Sequence, residues 1–453
     1  MLKTGLKRLA TVLMVLLLIY GAGRFADVYS GSFYQGERAP YLMMPAPDAM
    51  TLRWQTAQPG RGQVQYGLTP QRLQWQASEA RIGEAHELRL RNLKPDTRYY
   101  YQIENRRGSD RQVLYTGAGY HFTTPPPIGQ AVPLRFAVLG DPGQRGPVQS
   151  AVRDALLGWL AVHPRAGRPR LDLLLTTGDN AYRSGSNKQF QKGFFTPYAA
   201  ILRNTPVWPV YGNHDARRWA FFDIFHFPAR GESGGLPSGS RHYYAFDYAN
   251  AHFVMLDSQD SRLHPGSAML DWLARDLAAT RQPWIIAAFH HPPYSHGSHN
   301  SDDRGDSGGR MAAMREHVLP LLEAAGADLV LSGHSHMYER SYLLRCHYGN
   351  SGSLRPWMIM DKSAGAPAPY LKPGRDGHAG TVYAVVGSSA KVNQGPLDHP
   401  AMAVSLAEAG SLLVDIDHDR MTARFIRKDG RIADRFVIRK VPATGRQASC
   451  ESQ

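Results

Sequence analysis

The sequence predicts a two-part fold, an all-β sandwich followed by an α/β sandwich that carries its polar ligands at the C-terminal ends of strands. Three observations carry this. From Arg38 to about Pro125, short runs alternate apolar and polar residues between turn signals, the period of two that marks half-buried strands. From Leu134 onward, apolar strand-like runs alternate instead with amphipathic stretches at 148–162, 268–279 and 311–325, the order of an α/β layer structure. Between the two regions, Thr123-Thr124-Pro125-Pro126-Pro127 makes a break, since successive prolines donate no ladder hydrogen bonds.

Taken in order, the first element is a leader. Lys3, Lys7 and Arg8 precede an uncharged stretch from Leu9 to Gly23, the pattern of an export signal. As a helix it would span about 22 Å, short of the ~30 Å hydrocarbon core, so residues 1–24 are expected to be a cleaved signal peptide in preference to a retained anchor. The basic residues stay cytoplasmic either way, which places the rest of the chain in the periplasm or outside the cell. Membrane association follows only if the segment is retained.

The sandwich is expected over 38–125. Met50, Leu52 and Trp54 point one way and Thr51, Arg53 and Gln55 the other, which predicts one buried face. The stretch Leu93-Lys94-Pro95-Asp96-Thr97-Arg98-Tyr99 resembles the corner of fibronectin type III-like sandwiches, where a tyrosine hydroxyl bonds back to the chain. The second domain is expected over 134–440, with a hairpin at Asp429-Gly430 and a polar tail over 441–453. Two cysteines, Cys346 and Cys450, suit a disulfide in an oxidising compartment, although sequence cannot show that they meet.

Composition bounds the function. The chain has 453 residues, 43% of them hydrophobic, enough for a sizeable core and too many for one ordinary domain. Lys and Arg outnumber Asp and Glu by 52 to 38, a net charge of +14, and a basic surface attracts anions such as phosphorylated substrates. No dense basic run or nucleic-acid motif is present, so specific nucleic-acid binding is not expected.

Five apolar runs each end in residues able to bind metal. They lead into Gly140-Asp141-Pro142-Gly143, Gly178-Asp179-Asn180-Ala181-Tyr182, Gly212-Asn213-His214-Asp215, His290-His291-Pro292-Pro293-Tyr294 and Gly333-His334-Ser335-His336. A single Gly-Asp pair is usually a turn, and a lone histidine is usually a satisfied core residue. Five such loops at strand ends can converge on one site, and their mixed Asp/Asn/His/Tyr ligand set suits two metal ions.

In order and spelling, these blocks resemble the purple acid phosphatases of the calcineurin-like metallophosphoesterases. The likeness extends to the preceding sandwich, with its Tyr66-Gly67 pair, and through Met337-Tyr338-Glu339-Arg340. It implies Asp141, Tyr182 and His336 on a ferric ion, Asn213, His290 and His334 on a divalent Zn, Mn or Fe(II), and Asp179 bridging the two. Hard carboxylate and phenolate oxygens suit Fe(III), and imidazole and amide oxygen suit the softer divalent ion. The reaction so implied is phosphomonoester hydrolysis at acidic pH, with hydroxide generated at the metals attacking phosphorus in line. His214 and His299 are the implied outer-sphere histidines, serving the leaving group, with His296 an alternative to His299. The chain departs from the family pattern at Ala287, where relatives often carry Val, and at Asp215, where plant members commonly have Glu, which bears on the partner of His214. Two rival readings remain: a phosphodiesterase on the same scaffold, and a noncatalytic surface-binding protein whose signature would be missing ligands.

Overall fold

The computed structural model describes residues 11–22, 34, 36–217, 219–363, 365–443 and 450. Of the leader, residues 11–22 form a helix whose apolar side chains are exposed, Leu18 at 65%. Lys3, Lys7 and Arg8, and most of the expected tail beyond 443, lie outside the described residues. Among the described residues, no helix is long and apolar enough to cross a membrane.

The first seven strands are β1 (Arg38–Ala46), β2 (Ala49–Gly67), β3 (Trp75–Ser78), β4 (Gly83–Leu90), β5 (Arg98–Arg107), β6 (Asp110–Tyr115) and β7 (His121–Thr123). The long β2 joins both layers, pairing β1 and β4 through its first half and β3 and β5 through its second. Trp54, Val64, Leu90, Tyr99, Ile103 and Phe122 fill the space between the layers. The Tyr99 hydroxyl accepts the Lys94 N–H at 2.9 Å, closing the corner. One expectation needs correction: the other face of β2 is also buried, with Thr51 at 0% and Arg53 at 8% exposed. It is covered by the second domain, where Arg53 donates to the carbonyls of Asp223 and Ile224. A single-domain pattern cannot reveal that cover.

The second domain stacks two seven-stranded sheets. Its strands are β8 (Leu134–Leu139), β9 (Leu173–Thr176), β10 (Val207–Pro209), β11 (Tyr244–Tyr248), β12 (Ala251–Met255), β13 (Trp284–Ala288), β14 (Leu329–Ser332) and β15 (Tyr338–Ser341). There follow β16 (Leu343–Leu344), β17 (Ile359–Asp361), β18 (Tyr370–Pro373), β19 (Val382–Val386), β20 (Met402–Leu406), β21 (Gly410–Asp417), β22 (Arg420–Arg427) and β23 (Ile432–Val441). One sheet runs β10-β9-β8-β21-β22-β23-β18 and the other β11-β12-β13-β14-β19-β15-β20. Their inner faces interdigitate: Phe136 meets Phe253 edge to face at 5.4 Å, and Tyr338 stacks on Phe425 at 4.0 Å. The helices Pro147–Val162 and Ala268–Ala279 form as the apolar spacing predicts. The third runs Arg310–Ala324, with a wider π turn at Met314–Val318.

Parallel pairing decides where the polar loops go. Leu139 of β8 is level with Thr176 of β9, which is level with Pro209 of β10, so three loops leave one edge together. In the second sheet, Ala288 of β13 is level with Leu331 of β14. The two edges abut where the His334 N–H donates to Asp141 Oδ2 at 2.9 Å.

Candidate metal centre

Two donor groups stand side by side at these edges. In the first, the Tyr182 hydroxyl lies 3.1 Å from Asp141 Oδ1 and 3.2 Å from His336 Nε2. In the second, Asn213 Oδ1 lies 2.8 Å from His290 Nε2 and 3.2 Å from His334 Nδ1. Asp179 stands between them, its Oδ1 3.6 Å from His290 Nε2. Asp141, Asp179 and His290 bring ligand atoms within 4.8 Å of one another. The structure therefore gathers all seven sequence-predicted ligands.

Hydrogen bonds behind the rings aim the histidines into the centre. His290 Nδ1 donates to the Thr177 carbonyl at 2.8 Å, which points Nε2 at Asn213 Oδ1; against desolvation by burial, Asp179 and Asp141 raise this imidazole above its ordinary value. His336 is held in the same way, with Nδ1 3.2 Å from Asn393 Oδ1 and Nε2 facing the Tyr182 hydroxyl at 3.2 Å and Asp141 Oδ1 at 3.4 Å. Carboxylate, phenol, amide and imidazole groups thus converge on one place, a donor set that fits metal ions, with the Thr177 carbonyl and Asn393 as the orienting partners that ligating histidines require.

Charge tells the same story. Burial pushes the Asp141 carboxyl up, but His336, His290 and the His334 N–H outweigh it and hold the group below the usual carboxylate range. Burial, then Asp141 and Asp179, push the Tyr182 phenol well above its ordinary value; a bound cation reverses that sign. Burial and the neighbouring His291 and His290 keep His334 neutral, with a lone pair to give.

The backbone is bent to make this possible. Asp141, Asp179 and His334 all have positive φ, 53°, 52° and 66°, a left-handed conformation that is costly for non-glycine residues and clusters at functional sites. A Cβ on Gly212 would sit 2.2 Å from the Asp179 nitrogen, so only glycine lets these two loops touch.

Around the ligands stand the other predicted residues. His214 donates from Nδ1 to the Arg183 carbonyl at 2.6 Å and turns Nε2 toward Asp179 Oδ2, 3.8 Å away. Asp215 does not touch this ring. It is fully buried and accepts from Asn180 N, Asn180 Nδ2, Ala181 N and Gly212 N, tying the loop of Asp179 to that of Asn213. Burial, then Asp179, push its carboxyl up to about 7. His299 stacks on His334 at 3.9 Å between ring centroids and pairs through Nδ1 with Asp306 at 2.8 Å. His296 faces away, toward Asp398 and Asp302. The sequence assigned no role to Asp306, Ser307 or Lys391, and none to His291 beyond its place in the His290 block. Ser307 Oγ lies 2.6 Å from His334 Nε2, His291 groups with His290 and His334, and Lys391 Nζ lies 4.2 Å from the Tyr182 ring centroid.

Residues 134–338 match the model of the calcineurin-like phosphoesterase family, and residues 39–124 that of the purple acid phosphatase N-terminal domain. The chain carries a calcineurin-like phosphoesterase domain behind a purple acid phosphatase N-terminal domain. Its relatives include purple acid phosphatase 18 of Arabidopsis thaliana, 32% identical over 58% of this chain and 54% of that protein. Acid phosphatase type 7 of Mus musculus is 25% identical over 76% of this chain and 75% of its own length. The chain thus spans about half the length of the first plant relative it matches. A purple acid phosphatase structure from yellow lupin seeds superposes with a TM-score of 0.69 at 17% identity, covering 89% of this chain and 74% of that one, which shows the shared fold. The phosphoesterase domain and the fold agree with the sequence-based expectation.

Proposed function

We propose that the protein is an exported phosphomonoesterase working through two metal ions, with Asp141, Tyr182 and His336 holding Fe(III), Asn213, His290 and His334 holding a divalent Zn, Mn or Fe(II), and Asp179 shared. The observation that carries this reading is the convergence of Asp141, Tyr182 and His336, and of Asn213, His290 and His334, on either side of Asp179 in a site built by five separate loops. When bound, the ions supply positive charge for the phosphate oxygens and hydroxide near neutral pH.

The chain's own residues do the rest. His299 holds its Nδ1 proton against Asp306, leaving Nε2 to carry the proton a leaving alkoxide needs. Against the upward push of burial, the Asn300 N–H, His299 and Ser307 hold Asp306 below the usual carboxylate range, so it stays ionised and supports the imidazolium. His214, fixed by the Arg183 carbonyl, directs Nε2 to the Asp179 side of the centre, where it can steady a phosphate oxygen. A cleft of about 370 Å³ opens beside Asn213 and His334, with Arg310 and Gln259 on its wall, the size and polarity of a small phosphorylated substrate.

The test is turnover of nitrophenyl phosphate against bis-nitrophenyl phosphate, together with metal analysis and a visible spectrum. Two metals per chain, iron among them, a visible tyrosinate band and faster monoester cleavage are expected. Faster diester cleavage transfers the assignment to a phosphodiesterase, and metal-loaded protein that hydrolyses neither ester refutes both.

A further inference from the structure

We propose a second anion-binding site, for a phosphorylated organic molecule, in the cleft where the sandwich meets the second domain. This cleft has a volume of about 570 Å³, and five arginines line it: Arg98 at the start of β5, Arg165, Arg168 and Arg170 from the loop before β9, and Arg203 from the loop before β10. Clefts of this size at domain junctions are where small ligands are held.

The charges do not cancel. Arg165 pairs with Asp172 at 2.7 Å and Arg168 with Asp96 at 2.8 Å. Among the described residues, Arg98 and Arg170 have no carboxylate or hydrogen-bond partner for their guanidinium groups, and Arg203 only shares a 3.4 Å contact with Asn204 and lies over the Tyr120 ring. Three uncompensated cations therefore face one concavity. His121 lines it too, with Nδ1 buried and unpartnered. Burial, then Arg98, Arg203 and Arg170, depress that imidazole to about 4, so it adds a neutral polar contact and no charge. Guanidinium forks match phosphate oxygens in pairs, which sets the ligand's chemistry.

One wall is apolar, formed by Leu157, Leu160 and Ile201. A bare inorganic anion would leave that wall wet, whereas an organic group attached to the phosphates covers it. The cleft also lies at the opposite end of the sheet from the metal centre. Leu171 and Thr205 precede β9 and β10, whose far ends carry Asp179 and Asn213, a separation of about 13 Å along four strand residues. Occupancy here leaves the reaction centre open.

The test is calorimetric titration of the metal-loaded protein with two stable probes, methylenediphosphonate and a nucleoside diphosphate carrying the same methylene bridge. Wild type is compared with the Arg98→Ala/Arg170→Ala double variant; both side chains are solvent-exposed, so the fold has no need of them. Affinity of the metal centre for diphosphate is common to both proteins and drops out of the difference. The nucleotide probe is expected to bind wild type at least tenfold more tightly than the double variant, and the double variant is expected to lose a smaller factor for methylenediphosphonate. Hydrogen exchange should slow over residues 164–171 in wild type alone. Equal binding by wild type and variant overturns the site, and an equal loss for the two probes in the variant overturns its organic ligand. Nitrophenyl phosphate turnover, measured in the same samples, reports separately on the hydrolase reading and should match between the two proteins.

Discussion

Replacing Asp215 tests whether one buried carboxylate holds the two central ligand loops together. Its Oδ2 accepts three hydrogen bonds, from Asn180 N at 3.2 Å, Asn180 Nδ2 at 2.9 Å and Gly212 N at 3.1 Å, and its Oδ1 accepts one from Ala181 N at 3.2 Å. Asp215→Asn can keep oxygen at the three-donor end but turns an amide toward the Ala181 N–H, stranding one donor at a cost of about 1–3 kcal/mol. Asp215→Ala strands three backbone N–H groups in a site with no access to water, at least about 3 kcal/mol even at the lower bound for each. The loss should fall on the loops that carry Asp179 and Asn213, so metal content should fall with stability. Urea denaturation at fixed free metal, with metal per chain measured on the same protein, reads both. An alanine variant within about 1 kcal/mol of wild type that keeps its full complement of metal would refute the reasoning, as would an asparagine variant less stable than the alanine one.

Other outcomes follow from single contacts. Gly212→Ala puts a methyl 2.2 Å from the Asp179 nitrogen, so the protein should fold with a loss of about 1–3 kcal/mol while metal analysis shows both sites depleted. His252 is buried between Asp247 and Asp276, which overcome desolvation and raise it to about 9. Because the folded value lies above the unfolded one, near 6.5, the stability it adds, about 3 kcal/mol, is complete below pH 6.5 and disappears as pH rises through 9; in His252→Gln, denaturation midpoints should lose that slope. Cys346 and Cys450 form a disulfide across a sequence separation of 104. Cys450→Ser should cost about 2–5 kcal/mol, read as a lowered thermal midpoint that reducing agent reproduces in wild type but leaves unchanged in the variant.

Much of the site was legible because its chemistry is written as strand-end words. An apolar run followed by Gly-Asp or Gly-x-His reports both a strand and the loop that leaves it, and a parallel sheet sends such loops to one edge whatever the distances between them in sequence. The sandwich was legible through its period of two, and the resemblance at Leu93 to Tyr99 found its closure in the Tyr99 hydroxyl and the Lys94 N–H. The second buried face of β2 was not, because Thr51 and Arg53 look like solvent residues until the next domain covers them.

Sequence by itself determined the strand-and-helix pattern of the two domains and the order of the five polar blocks, since these depend on residue identity and local spacing. Tertiary structure alone decided that Asp215 serves Asn180 and Gly212 and not His214, that His299 turns inward while His296 turns to Asp398, and that two cysteines far apart in the chain meet. It also gathered arginines from positions 98 to 203 into one cleft, although no dense basic run marks the sequence. The physical reason is common to all of these: which partner a charged or polar side chain takes is set by what burial brings within hydrogen-bond range, and that distance is a property of the folded chain.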